Sequence, residues 1–490
     1  MTNQAQLIAY VDRLTGGTFR DLTPLLDGPL KDAFGGVHVL PFFHPIDGAD
    51  AGFDPIDHTH VDPRLGTWAD VKALTERTAV MADLIVNHVS RHSPPFQDFD
   101  RRGTDSPYAG MFLTFARVFP DGAREPDLRA LYTIRPTLPF TKYETASGTS
   151  VVLWTTFTSD QIDLDVQHPE ARRYLLAVLD RFQEAGITMI RLDAVGFTIK
   201  KAGTSCFMIP ETFAFITDLT AEARGRGMEV LVEVHGHHLD QLAVARQVDR
   251  VYDFALPPLV LHALYRHDAA PLKRWLDMRP HNAVTVLDTH DGIGVADVAE
   301  RRHPSPAPGL LAAADIEALV ETIHERSGGA SRLASGSGAA NVDASQINCT
   351  FYDALGRRDA EYLIARAVQC FVPGIPQIYY VGLLAGGNDL DLLRRTGAGR
   401  DINRHYYTPE EVRRELTRPV VRSLLELLRM RNTHPAFQGT FHLGTSAPHH
   451  LVLEWANGSD TARLDVDLME MRAAVTLTGG ITWHARPAGT

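Results

Sequence analysis

Residues 187–194 have the sequence ITMIRLDA, an apolar run typical of a buried β-strand that carries one arginine and one aspartate. Side chains alternate across a strand, so Arg191 and Asp193 share one face. A charge is rarely buried without a partner. Two interpretations follow: a structural ion pair between these side chains, or a carboxylate nucleophile held ionised by Arg191 at the end of a barrel strand.

Seven further apolar runs have the same character. Together the eight runs cover residues 6–11, 35–43, 79–86, 187–194, 229–235, 250–255, 283–287 and 375–381. Continuous apolar runs are typical of parallel strands that are covered on both faces.

Helical segments separate several of these runs. A capping-box pattern opens one helix at Thr67, with Asp70 three residues later. A second helix begins at His168 and ends before Gly186, and a third covers about residues 211–226. Eight strands alternating with helices predict an α/β fold, the (β/α)8 TIM barrel, in preference to a doubly wound sheet.

Two insertions and a C-terminal segment depart from the barrel pattern. Residues 87–167 are rich in proline, aromatic residues and arginine without a helical period, and residues 292–355 contain glycine- and serine-rich tracts typical of flexible loops. Beyond residue 435 the pattern alternates, and Asn457-Gly458 is typical of a hairpin turn. We expect six segments: barrel 1–86, inserted subdomain B 87–167, barrel 168–291, inserted subdomain B' 292–355, barrel 356–435, and a C-terminal antiparallel β domain 436–490.

Composition limits the classes of partner and compartment. The 490 residues are 44% hydrophobic and 22% charged, and the net charge of -12 disfavours nucleic acid and acidic membranes as partners. The three cysteines have neither a disulfide pattern nor metal-ligand spacing, which favours a reducing compartment. Because residues 7–11 lack a signal-peptide pattern and no apolar run has transmembrane length, we expect a cytoplasmic protein.

Four predicted strands end in polar side chains that suit chemistry. The strand ends are Asn87-His88, Arg191-Leu192-Asp193, Glu233-Val234-His235 and Asp288-Thr289-His290-Asp291. Each alone could be a core histidine, a salt bridge or a helix cap. Active sites of this architecture lie at the C-terminal strand ends, where carboxylates from three strands would converge at high electrostatic cost unless they are used. Such a cluster suits glycosyl transfer, in which one carboxylate attacks the anomeric carbon and a protonated second one donates to the leaving oxygen.

These strand ends resemble the ordered signature regions of the α-amylase family of glycosidases. The matching segments are DLIVNH at 83–88, QIDLD at 161–165, RLDA at 191–194, Glu233 and His290-Asp291. Within the family the chain is most similar to the sucrose phosphorylase group, through GADAGFDP at 48–55, AGTSCF at 202–207, LDTHDG at 287–292 and GRDINR at 399–404. Order and spacing fit from Leu7 to about Pro435.

The resemblance implies a role for each site residue. Asp193 is the expected nucleophile, Glu233 the general acid and base, and Asp291 the stabiliser of the transition state. The residues expected to bind glucose are Asp50, Phe53, His88, Phe157, Arg191, His290 and Arg400. Those expected to bind the acceptor or phosphate are Tyr132, Arg135, Phe197, His235, Val342, Asp343, Ser345 and Gln346.

Two of these assignments have alternatives that the residues alone leave open. A carboxylate and a guanidinium such as Asp50 and Arg400 can hold vicinal sugar hydroxyls, but on a surface loop they would form a solvated salt bridge. Arg135 lies in a proline-bounded loop, where a solvent-exposed arginine is the alternative to a phosphate ligand.

The reaction implied by the resemblance is reversible phosphorolysis of sucrose with retention. A glucosyl group passes to Asp193 as fructose leaves, and phosphate then takes it to give α-glucose 1-phosphate, with transglucosylation as a side activity. Ser345 and Phe197 each stand where sucrose-active relatives carry a tyrosine, which widens the acceptor subsite and removes donors. Phosphorylases of glucosylglycerol, glucosylglycerate or sucrose 6'-phosphate therefore remain alternatives, as does an α-glucosidase.

Functions of other classes are also open. His58-Thr59-His60 would suit a metal-dependent hydrolase, although no clear further ligands follow in the sequence. A non-catalytic sugar-binding module is a second alternative, but such a module would not need three converging carboxylates. Asn87 and Asp163 resemble calcium-ligand positions of amylases, but the phosphorylase group does not generally use calcium. We therefore expect no metal and no cofactor, and the resemblance implies a homodimer.

Overall fold

The chain folds around a closed barrel of eight parallel strands, as the sequence predicts. The computed structural model describes residues 3–48, 50–135, 137–301, 306–336 and 345–487, so Val342 and Asp343 lie outside the described residues. The strands are β1 (Gln6–Ala9), β2 (Gly36–Val39), β3 (Ala79–Ile85), β4 (Met189–Asp193), β5 (Glu229–Val232), β6 (Arg250–Asp253), β7 (Ala283–Thr285) and β8 (Ile375–Tyr379). They pair in sequential order, and β8 closes on β1.

The strands end earlier than their apolar runs suggest, and the reason lies at the C-terminal rim. There the last backbone hydrogen bonds are long, at 3.5 Å from Val86 N to Asp193 O and 3.4 Å from Glu233 N to Leu192 O. The chain leaves the sheet at this level, so Glu233 follows the end of β5 and Asp291 lies in the loop after β7. Both side chains are therefore presented by loop backbone beside a rigid barrel.

Helices surround the barrel. Those of eight or more residues are Phe19–Asp27, Trp68–Thr75, Pro94–Arg102, Pro169–Glu184, Pro210–Gly225, His238–Ala245, Leu256–Arg266, Ala270–Met278, Ala313–Arg326, Asp359–Phe371 and Pro419–Thr433. The predicted capping box is present, because Asp70 Oδ2 accepts hydrogen bonds from the N and Oγ1 of Thr67. Helix Pro169–Glu184 buries an apolar stripe against the barrel, formed by Leu175, Val178, Leu179 and Phe182. Shorter helices are Val11–Thr15, Phe115–Val118, Glu125–Ala130, Ala330–Ser335, Phe351–Ala354, Tyr380–Leu383, Leu390–Thr396 and Pro409–Glu415.

The first insertion lies between β3 and β4 and has a small core of its own. Strand His88–Ser90 pairs with Gln161–Asp163, which ties the two ends of the insertion together, and Phe140–Glu144 forms a hairpin with Ser150–Trp154. Its buried apolar cluster includes Cys206 from the loop after β4. The insertion is therefore held against the rim of the barrel at more than one point.

The second insertion follows β7 and is more helical than its composition suggests. It contains the 14-residue helix Ala313–Arg326, and Ala330–Ser335 forms a further short helix between the two glycine- and serine-rich tracts. The two-residue strands Ile293–Gly294 and Gln346–Ile347 pair and join its ends.

The C-terminal segment forms a five-stranded antiparallel sheet, as predicted. Its strands are Thr440–Gly444, His450–Asn457, Asp460–Asp467, Arg472–Leu477 and Gly480–Ala485. Asn457 pairs with Asp460, so the hairpin turn consists of Gly458 and Ser459, one residue later than expected, with Gly458 taking the left-handed φ of 60°. Among the described residues no helix combines the length and apolar character needed to cross a membrane.

Candidate active site

A pocket of about 680 Å³ opens at the C-terminal rim of the barrel, where the predicted strand ends meet. The predicted residues that line it are Asp50, Phe53, His88, Tyr132, Phe157, Asp193, Phe197, Glu233, His235, His290, Asp291, Ser345, Gln346 and Arg400. Two other predicted residues, Arg191 and Arg135, are buried nearby rather than exposed. The burial of Arg135 removes the solvent-exposed alternative for that side chain.

Arg191 joins two of the expected catalytic carboxylates. Its Nη1 donates to Asp193 Oδ1 at 2.9 Å, and its Nη2 lies 3.0 Å from Glu233 Oε1. Since both nitrogens belong to one planar guanidinium, the two carboxyl groups lie side by side. Nη1 also donates to Asp83 Oδ1 at 2.5 Å from the opposite side. The two interpretations of the sequence therefore do not exclude each other: Asp193 forms an ion pair with Arg191 and is also a carboxylate of the pocket.

Asp193 holds a proton more tightly than an ordinary aspartate does. Burial raises the pKa of Asp193 well above its usual range; Arg191 opposes this rise, and the charges of Glu233 and Asp83 add to it. Arg191 acts in the expected direction but does not by itself keep Asp193 ionised. Attack on the sugar needs the ionised form of Asp193, and the charge of Arg191 is the influence that favours this form.

Asp291 is a fixed negative charge in the same pocket. Burial alone would raise the pKa of Asp291, but Arg400, with His290 and His235, lowers it below its usual range. Arg400 Nη1 lies 2.8 Å from Asp291 Oδ1. A carboxylate fixed in this way can stabilise positive charge that develops on a sugar ring.

Asp50 is held between two arginines. Its carboxylate oxygens lie 3.9 Å from Arg400 Nη1 and 3.6 Å from Arg404 Nη1. Burial would raise the pKa of Asp50, but Arg400 and Arg404 lower it, and Arg135 contributes in the same direction. The pair of Asp50 and Arg400 is therefore buried at the pocket and is not the solvated salt bridge that a surface loop would give.

Two imidazoles in the pocket are neutral. Burial lowers the pKa of His290 to about 3, and His290 stacks on Phe53 with ring centroids 4.5 Å apart. Burial also lowers the pKa of His88, whose Nε2 lies 2.9 Å from the Phe53 carbonyl oxygen and 3.0 Å from Gln161 Nε2. Neutral imidazoles can exchange hydrogen bonds with sugar hydroxyls without adding charge.

His235 is the cationic imidazole of the site. Burial would lower its pKa, but Asp297, followed by Glu233 and Asp291, raises the pKa of His235 to about 9. Its ring stacks on Phe254 at a centroid distance of 3.8 Å. A protonated histidine beside Glu233, the expected general acid and base, suits an anionic acceptor.

The mouth of the pocket has an aromatic wall. Tyr132 stacks on Phe207 with centroids 4.4 Å apart, and Phe197 packs against both rings. Ser345 and Gln346 also line the pocket. The small side chain of Ser345 and the ring of Phe197, which lacks a hydroxyl, offer less ring surface and fewer donors than two tyrosines at these positions would.

Similarity to known proteins agrees with this geometry. Residues 23–252 match the model of the α-amylase catalytic domain. Over 479 residues the chain is 57% identical to a sucrose phosphorylase of Agrobacterium vitis, covering 98% of each chain. The chain belongs to the sucrose phosphorylase group of the α-amylase family. A sucrose phosphorylase of Bifidobacterium adolescentis is 50% identical over 464 residues, covering 95% of this chain and 92% of the relative.

A solved member of the group has the same fold over nearly its whole length. The crystal structure of sucrose 6F-phosphate phosphorylase from Thermoanaerobacter thermosaccharolyticum superposes with a TM-score of 0.90 at 37% identity, covering 98% of this chain and 97% of that chain. This relative therefore shares the barrel, both insertions and the C-terminal sheet with the present chain.

A lysine occupies the position that resembles an amylase calcium site. Lys200 Nζ donates to Asn87 Oδ1 at 2.9 Å and to Asp163 Oδ2, and the Lys200 side chain is 1% exposed. The ammonium supplies the positive charge that these oxygen ligands would otherwise take from a cation. In the sequence Lys200 is one of two consecutive lysines in the loop between β4 and helix Pro210–Gly225, so little there indicates its role.

The histidines that suggested a metal-dependent hydrolase do not converge. His58 is buried with its Nε2 3.2 Å from the Asp83 carbonyl oxygen, whereas His60 is exposed and pairs with Asp57. In the described part of the chain, the side chains that come close enough for a metal are Glu233, His235 and Asp291. Because these three already contact Arg191, Asp297 and Arg400, we assign them to the sugar phosphorylase site rather than to a metal.

Several functional residues were missed by sequence reasoning. The pocket is also lined by Ile134, Gln161, Ala194, Gly196, Phe207 and Val234. Gln161 and Phe207 stand within matching segments, so the resemblance could have identified them. Arg404 lies within the matching segment at 399–404, but its burial beside Asp50 depends on the fold.

Proposed function

We propose that this chain is a sucrose phosphorylase that converts sucrose and phosphate to α-D-glucose 1-phosphate and D-fructose. One observation carries the mechanism: Asp193 and Glu233 contact the two terminal nitrogens of one guanidinium. This contact brings the carboxyl groups side by side, which favours a retaining mechanism, in which the two groups lie about 5 to 5.5 Å apart, over an inverting one.

In the first displacement Asp193 attacks the anomeric carbon of the glucosyl unit. The bond from that carbon to the fructosyl oxygen breaks, and the oxygen takes a proton from Glu233 as fructose leaves. Asp291 stabilises the positive charge on the ring in the transition state. The product is a glucosyl ester of Asp193 and an ionised Glu233.

In the second displacement phosphate attacks the same carbon. The ester bond to Asp193 breaks, and Glu233 takes a proton from the attacking phosphate when that phosphate is protonated, so two inversions give net retention. A sugar or another alcohol in place of phosphate gives transglucosylation, and water gives hydrolysis.

We propose that buried charges at the closed end of the pocket limit the part of the substrate that enters it to one glucosyl unit. Asp50, Arg400 and Arg404 close that end of the pocket, while Phe53, His88, Phe157 and His290 supply contacts to the ring. His235 and Arg135 are the cationic groups proposed for phosphate, and Tyr132, Phe197, Val342, Asp343, Ser345 and Gln346 form the proposed acceptor side.

Wider properties of the chain are proposals of the same kind. We propose the six-segment domain division given above, a homodimer and a cytoplasmic location, with no cofactor. The absence of a tyrosine at Ser345 keeps glucosylglycerol, glucosylglycerate and sucrose 6'-phosphate as rival substrates.

The test is to incubate the protein with sucrose, with and without phosphate, and to follow glucose 1-phosphate and free glucose. Phosphate-dependent glucose 1-phosphate is expected. Equal glucose release in both reactions would make the protein an α-glucosidase. If neither product appears, the three rival glucosides are tested in the same way.

A matched pair of variants assigns the activity to the pocket. Asp193→Asn keeps the size of the side chain but removes the nucleophile, whereas Asp391→Asn makes the same change at an exposed carboxylate that pairs with Arg394. Activity should be lost in the first variant and kept in the second.

A further inference from the structure

Asp297 is a buried carboxylate behind the pocket that the proposed mechanism does not use. It lies in the turn Ala296–Val298 of the second insertion and is 1% exposed. Its Oδ1 accepts hydrogen bonds from Gly236 N at 3.1 Å and Gln241 Nε2 at 2.9 Å. Its Oδ2 lies 3.6 Å from Nδ1 of His235. One oxygen is thus anchored by two donors while the other faces the imidazole.

The opposite edge of the His235 ring faces the pocket. Nε2 lies 3.7 Å from Glu233 Oε1 and 3.3 Å from Gln346 Nε2, and the ring is stacked on Phe254. The charged groups that face the ring are Asp297 behind it, and Glu233 and Asp291 on the pocket side. Asp297 differs from the other two because it lies on the side away from the substrate.

We propose that Asp297 is a positioning residue of the phosphate subsite: its buried carboxylate, facing Nδ1 of His235, favours a ring that carries protons on both nitrogens, so that Nε2 donates to phosphate with a positive charge. The inference rests on the proposed phosphorylase function. An imidazole with its proton held on Nδ1 has only a lone pair at Nε2 until it takes up a second proton. The buried negative charge of Asp297 favours that doubly protonated ring, and phosphate dianion then receives a charged donor.

The substitution Asp297→Asn removes the negative charge of the side chain while keeping its shape. Gly236 N and Gln241 Nε2 both need an acceptor, so the amide oxygen of Asn would stay on their side. Its NH2 group would then face Nδ1 of His235 and exclude a proton from that nitrogen. His235 would remain a neutral donor at Nε2 and lose its charge.

The experiment compares phosphate-dependent and phosphate-independent turnover in the full-length enzyme. For Asp297→Asn we expect the KM for phosphate to rise about tenfold or more, since a hydrogen bond to a charged group is replaced by a neutral one. Exchange of labelled fructose into sucrose, which needs no phosphate, should stay within about twofold of the wild-type rate. The alkaline limb of kcat/KM for phosphate should also move to lower pH, because the neutral ring no longer takes up a proton in that range.

Two controls separate this role from a structural one. Asp240→Asn changes a nearby carboxylate that pairs with Arg301 outside the pocket, and the KM for phosphate should not change. In a His235→Gln background, Asp297→Asn should add no further rise in the KM for phosphate, because the residue through which it acts is gone.

Each remaining outcome overturns the inference. An unchanged KM for phosphate in Asp297→Asn would do so, as would an equal loss of fructose exchange or a full additional effect in the His235→Gln background. Failure of the proposed function has a different signature, since the wild-type enzyme itself would then release glucose 1-phosphate from none of the tested glucosides, and the role of Asp297 would fall with it.

Discussion

Replacing Lys200 by methionine should destabilise the enzyme strongly, although the lysine lies outside the pocket. The substitution keeps most of the side-chain length but removes the ammonium that contacts Asn87 and Asp163. The Asp163 carboxylate is fully buried and would keep only its hydrogen bonds from Thr156. A buried charge would therefore lose its counter-ion.

The expected magnitude follows from the burial of both partners. Removing one member of a buried ion pair costs about 3 to 5 kcal/mol. At about 2.1 cal/mol/K per residue, the unfolding entropy of 490 residues is about 1 kcal/mol/K. The Tm should therefore fall by about 3 to 5 °C.

Thermal unfolding of three variants measures this effect. Lys201→Met is the matched control, because the neighbouring lysine is 59% exposed and pairs with Glu211 at the surface, where an ion pair contributes about 0 to 1 kcal/mol. The double variant Lys200→Met/Asp163→Asn removes both charges and should recover more than half of the lost stability. Strand His88–Ser90 pairs with Gln161–Asp163, so the single variant should also raise the KM for sucrose through His88.

The reasoning would be refuted if Lys200→Met unfolded at the same temperature as Lys201→Met. A double variant less stable than Lys200→Met would also refute it, because the loss would then come from packing and not from the unpaired Asp163 carboxylate.

Three further predictions concern the pocket. Glu233→Gln should lose far more activity on sucrose than on α-glucosyl fluoride, because fluoride needs no proton when it leaves. Initial rates of glucosyl-enzyme formation with both substrates measure this difference, and equal losses would contradict an acid role for Glu233. Ser345→Tyr restores a ring and a hydroxyl on the acceptor side and should raise kcat/KM for sucrose relative to glucosylglycerol, and an unchanged ratio would remove Ser345 from leaving-group selection. Because burial raises the pKa of Asp193, the acid limb of glucosyl-enzyme formation should lie at a higher pH than an ordinary aspartate would give. An acid limb at the usual pKa of an aspartate would contradict this prediction.

The barrel was predictable because its signals are local. Each strand is a short continuous apolar run, and three of the helices between them have start or stop signals in the sequence, so the chain could be divided without knowledge of distant contacts. Polar residues at the strand ends then implied a common rim, because parallel strands in a barrel place their C-terminal ends on one side. The resemblance added the roles that spacing alone leaves open.

Details of charge around the pocket could not be predicted in the same way. Lys200 beside Asp163, Arg404 behind Asp50 and Asp297 behind His235 join segments that are far apart in the chain. Nothing in the local pattern distinguishes these side chains from solvated charges. Their partners and their burial exist only after the insertions have folded onto the rim.

By itself the sequence determined the barrel, its insertions, the C-terminal sheet and the face of β4 that carries Arg191 and Asp193, because periodicity and strand alternation act over a few residues. Only the tertiary structure decided that Arg191 also contacts Glu233 and Asp83 and that burial raises the pKa of Asp193. The physical reason is that a pKa depends on every charge and on the solvent around a group, and these are fixed only when distant strand ends meet.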